Sequence, residues 1–169
     1  RALFPAIAAA MYPGDPQMAA TAAGILYAAP AAGALVSGIL SGPLGRVHRH
    51  GLAIVLSVFA WGLTIAVFGL VSWLPLAALM LALAGAADNV SAVFRSTMLQ
   101  SATPDEFRGR LQGVFTVVVA GGPRLGDVES GAVAAIAGET FSIVSGGVAC
   151  IAVTAALVAK FPAFLRYDA

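Results

Sequence analysis

The chain has 169 residues, of which 60% are hydrophobic and only 10% charged, and its formal net charge is +1. A soluble domain is typically about 25% charged, so these residues are too apolar to cover one. No basic cluster interleaved with aromatics is present, which excludes a nucleic-acid partner, and the single cysteine, Cys150, excludes an intrachain disulfide or a cysteine-built metal site.

Charges punctuate the sequence, and the uncharged gaps are long enough for spanning helices of about 20 apolar residues. The chain starts at Arg1, without a methionine and already in an apolar run. Arg1 to Tyr12 therefore reads as the end of a spanning helix, and the chain as a fragment or truncated product. Met11 to Pro16 is a loop by its proline and glycine content. Five complete spans are expected after it: 19–42, 52–70, 74–99, 111–137 and 140–161. The fold class is thus an all-α membrane protein.

In the first span, Gly24, Ala28 and Ala32 fall on one stripe, and Ala34, Gly38 and Gly42 on another. Small residues four apart let helices approach closely in lipid. The second span holds no charged residue and the fifth none before Lys160 at its end, so both read as outer helices facing lipid. The third holds Asp88 and Asn89 near its middle, with Ser91 and Arg95 on the face of Asp88. Arg95 lies about 10 Å nearer the cytoplasm, where snorkelling to headgroups is the alternative to a polar cavity face. Asp88 is too short and too deep to snorkel.

The fourth span carries Arg124, Asp127 and Glu129. Charges at bilayer depth cost about 3 kcal/mol or more, so they mark interiors or water-filled paths. Arg124 and Asp127, three apart, are expected to pair. Glu129 is rotated about 140° from Arg124 and stands apart. Gly121-Gly122-Pro123 predicts a kink or break. Equal distance from the turn near Asp105 predicts an interhelical Asp88–Arg124 pair.

Orientation follows from the basic residues. Arg46 and Arg49, then Arg108 and Arg110, then Lys160 and Arg166 alternate with connections that hold no Lys or Arg. The positive-inside rule makes these basic segments, including the carboxyl terminus, cytoplasmic. Asn89-Val90-Ser91 matches a glycosylation sequon but lies inside the bilayer. His48 and His50 read as solvated loop residues rather than metal ligands. No nucleophile–base or metal constellation is present, so neither an enzyme nor a bound cofactor is expected.

The segment from Ser41 to Gly51, including Gly42, Arg46 and Arg49, resembles the cytoplasmic turn between the eighth and ninth helices of the major facilitator superfamily. In that turn an aspartate precedes the first arginine, where this chain has Leu44-Gly45. Thr103 to Arg110, with Asp105, Arg108, Gly109 and Arg110, is similar to the connection between the tenth and eleventh helices of its transmembrane secretion effector branch. That branch includes enterobactin-exporter-like proteins. Pro123 to Gly131 resembles the branch's eleventh helix, and Arg1 to Pro5 its seventh.

The resemblance implies the carboxyl-terminal six-helix half of a twelve-helix transporter in the bacterial cytoplasmic membrane. Its partners would be the lipid bilayer, a small-molecule substrate and the missing amino-terminal half. The implied activity is proton-coupled efflux by alternating access, an antiport of a siderophore or drug-like molecule. Asp127, Glu129 and Asp88 would be the proton carriers, and Arg124, Arg95 and Arg1 would hold substrate or act as counter-charges. The alternative is a truncated, non-transporting membrane protein serving as scaffold or partner half.

Overall fold

A computed structural model describes residues 1–42 and 47–167. The expected turn residue Arg46 lies outside the described residues. Six α-helices follow in order: α1 (Phe4–Met11), α2 (Pro16–Ile39), α3 (His50–Phe68), α4 (Leu74–Ala102), α5 (Asp105–Ala137) and α6 (Glu139–Lys160), ending in a 3-10 helix at Pro162–Arg166. Among the described residues there is no strand.

The chain is an all-α membrane protein. Four helices, α2, α3, α4 and α6, are long and apolar enough to cross a bilayer. The 33-residue α5 is longer than any of them but carries acidic and basic residues in both halves.

Helix ends follow local chemistry. The Asp15 carboxylate accepts the Met18 amide N–H at 2.9 Å, and Pro16 occupies the first helical turn, so α2 starts before Ala19. Between α4 and α5 only Thr103 and Pro104 are non-helical. The expected loop of Asp105, Arg108, Gly109 and Arg110 is instead the first turns of α5. Asp105 and Glu106 suit that position because acids are favourable at the positive end of a helix dipole. Arg108 pairs with Asp105 at 2.9 Å and donates to the Gln100 carbonyl of α4, bracing the tight turn. Gly138 alone, at φ 88°, makes the still shorter turn into α6.

The core gathers Phe4 and Ala8 of α1, Ala22, Leu26 and Ala29 of α2, Phe68 of α3, and Ala77 and Leu81 of α4. Phe4 meets the edges of Tyr27 and Phe68 in T-shaped contacts. α4 packs along α2 on one side and α3 on the other, and α3 also packs on α6. The α3 helix is therefore wedged between neighbours rather than standing only as an outer wall.

The small-residue stripes of α2 fall differently from expectation. Gly24, Ala28 and Ala32 are not buried; Gly24 and Gly42 have open space beside them, and Gly38 meets only Asn89. The tight face is Ala22, Leu26, Ala29 and Gly33. Gly33 lies against the Ala82 carbonyl and Gly85 against the Pro30 carbonyl, while Gly62 and Gly147 hold α3 against α6. Of the expected kink or break at Pro123 there is no break, since α5 runs continuously through it, and none of its residues is buried.

Candidate functional site

Helix α4 carries a stripe with coiled-coil spacing: Ala77, Leu81, Ala84, Asp88, Ser91 and Arg95. Its first three members are apolar and buried. The stripe turns polar at Asp88, halfway along the helix, and there the seam with α3 opens into a cavity of about 210 Å3. Ser57, Val58 and Trp61 of α3 and Asp88, Ser91 and Arg95 of α4 line it.

Within this cavity Arg95 Nη2 contacts Asp88 Oδ1 at 3.2 Å, and Arg95 Nε donates to the Ser91 carbonyl at 3.3 Å. The side chains of Asp88 and Arg95 are 66% and 37% exposed, so the pair sits at the mouth. Ser91 is 2% exposed, and its hydroxyl has no hydrogen-bond partner among the described residues. The Ser57 hydroxyl donates to the Ala53 carbonyl at 2.8 Å.

On an adjacent face of α4, Asn89 Nδ2 donates to Ser37 Oγ of α2 at 2.9 Å. The amide of the apparent sequon therefore serves helix packing. Below the cavity, the rings of His50 and Phe94 meet edge to face.

The second charged group lies on α5. Asp127 accepts the Arg1 ammonium at 2.8 Å and the Ala2 N–H at 3.5 Å. In a chain continuing upstream, the first donor would be a peptide N–H and the contact a hydrogen bond. Ser130 donates to the Asp127 carbonyl, and Ser142 of α6 donates to the Ser130 carbonyl at 2.8 Å.

The two expected arginine pairs are absent. Arg124 makes no ion pair with Asp127 or with Asp88 among the described residues. Asp127 turns instead to the backbone at Arg1 and Ala2, and α4 and α5 barely touch, so equal depth does not bring Asp88 and Arg124 together. Arg124 and Glu129 are exposed.

The structure thus divides the candidate residues into two places. Asp88 and Arg95 meet on the α3–α4 seam, and Asp127 meets the backbone at Arg1 on the flank of α5. Ser57 and Trp61 are the contributors that sequence reasoning passed over. Their i, i+4 spacing on an uncharged helix was the available signal. Among the described residues no group of three or more His, Cys, Asp or Glu side chains could hold a metal ion.

A family model described as transmembrane secretion effector matches residues 1–168. Similar curated proteins include enterobactin exporters from Escherichia coli O81 (strain ED1a), Escherichia coli O1:K1 / APEC and Shigella boydii serotype 18. Each is 37% identical over 126 residues, which cover 75% of this chain and 29% of the relative. No solved structure matches this chain.

Proposed function

Because this chain belongs to the transmembrane secretion effector family, we propose that it is the carboxyl-terminal half of a secondary exporter that moves a small polar molecule by alternating access, driven by proton entry. The observation that carries the reading is the polar stripe of α4, where Asp88, Ser91 and Arg95 line a cavity in a helix long and apolar enough to span a bilayer. Ionisable residues inside a span are expensive to keep and are best explained by a transport path. The similarity to enterobactin exporters supports export.

In this reading Asp127, Glu129 and Asp88 are the candidate proton carriers. Each is a carboxylate on a helix that also carries a basic residue, so protonation changes the local charge balance. Arg124, Arg95 and Arg1 are the candidate holders of an anionic substrate. The basic helix ends face the cytoplasm of a bacterial cell, as the positive-inside rule requires. A second six-helix half completes the transport cavity. The work is vectorial movement rather than bond chemistry.

The test is transport by the full-length protein in proteoliposomes under an imposed pH gradient. Asp88→Asn, Asp127→Asn and Glu129→Gln variants are compared with the unsubstituted protein, and at least one is expected to lose gradient-driven transport. Undiminished transport by all three would rule out these carboxylates as proton carriers.

A further inference from the structure

We infer that the cavity in the α3–α4 seam is a binding pocket for a small α-amino acid zwitterion, a site that stands whether or not the protein exports such a molecule. The pocket carries one acidic and one basic side chain, Asp88 and Arg95. A simple anion entering it meets the Asp88 carboxylate, and a simple cation meets the Arg95 guanidinium. A solute carrying both charges satisfies both walls by lying antiparallel to the pair. The two charged groups of an α-amino acid are separated by a distance comparable to the 3.2 Å Asp88–Arg95 contact.

The existing pair leaves bonding capacity for such a ligand. One contact joins the two side chains, and Arg95 Nε is committed to the Ser91 carbonyl. The second oxygen of Asp88 and the remaining guanidinium N–H groups make no other bond among the described residues. Arg95 can therefore accept a carboxylate in the forked geometry that guanidinium favours. Asp88 can take an ammonium, and the cavity also contains Trp61 on its α3 wall, a ring type that attracts cations.

The second, independent observation is Ser91. Ser91 lines the cavity and is 2% exposed, and its buried hydroxyl has no hydrogen-bond partner among the described residues. Buried polar groups nearly always find one. A carboxylate on Arg95 would lie on the same stripe and would accept a hydrogen bond from this hydroxyl once the Ser91 side chain rotates toward the cavity.

Size limits the occupant. A cavity of 210 Å3 corresponds to about seven water volumes at ~30 Å3 each. Pockets for drug-sized ligands are larger, at about 300–1,000 Å3. A compact amino acid fits and displaces water.

The test is equilibrium binding of radiolabelled L-alanine to the full-length protein in nanodiscs, with acetate and methylammonium as single-charge competitors. Saturable binding is expected, competed by unlabelled glycine and alanine but not by acetate or methylammonium. Asp88→Asn and Arg95→Gln should each weaken it at least tenfold, and Ser91→Ala several-fold. Thermal unfolding of each variant reports folding, and Trp61→Phe, a milder change in the same wall, should weaken binding measurably. Absence of saturable binding by the folded unsubstituted protein overturns the proposal and leaves a hydrated seam. So does competition by acetate alone, which would mark an anion site. Binding unaltered in folded variants places alanine elsewhere and overturns it equally. Because the readout is binding, its failure is distinct from failure of transport.

Discussion

Gly33 lies against the carbonyl of Ala82 with no room for a side-chain carbon between them. Gly85 meets the Pro30 carbonyl in the same way from the opposite helix. At these two points the α2–α4 seam is closed by backbone rather than by side chains. Gly33→Val is expected to destabilise the protein by about 1–3 kcal/mol or more, because the helices must separate to admit the new atoms. Gly24→Ala on the same helix has open space and should be neutral or gain up to about 1 kcal/mol from helix propensity. Thermal unfolding of the two variants in detergent should rank them in that order.

The Asn89–Ser37 contact is the one side-chain hydrogen bond between α2 and α4 among the described residues. A double-mutant cycle with Asn89→Ala and Ser37→Ala should give a coupling energy of about 0.6 kcal/mol, the usual scale for such bonds inside membranes. A coupling near zero in unfolding measurements would show that neither group depends on the other.

Helix α5 has no buried residue and touches α4 only near their shared turn. Its amides should exchange hydrogen faster than those of α2 and α4 in nanodiscs, since low local packing means low opening energy. The Ser142–Ser130 hydrogen bond is one of its few ties to α6. Ser142→Ala should raise exchange around residues 127–137 and leave α2 unchanged. Equal protection of α5 and α2 by mass spectrometry would contradict this.

Some of the site was legible from residue order alone. Asp88, Ser91 and Arg95 recur at three and four, and that spacing fixes a common helix face without reference to any neighbour. The Asp88–Arg124 pair was not accessible in this way. Its prediction assumed that helices joined by a short turn stay in contact, whereas α4 spends its two packed faces on α2 and α3. The packing face of α2 was hidden for another reason. Alanine and glycine surround this helix on every side, so small-residue spacing matches several stripes, and only contact with Ala82 selects Gly33. Pro123 signalled a break, yet a proline withdraws only one donor, and the surrounding turns of α5 remain helical.

A seam made of backbone has no rotamers to exchange. Where Gly33 and Gly85 hold α2 to α4, there is no alternative side-chain packing into which the two helices can settle. At that crossing the two helices are held backbone to backbone. Sliding and tilting are left to α5, which is held to the rest chiefly through α6.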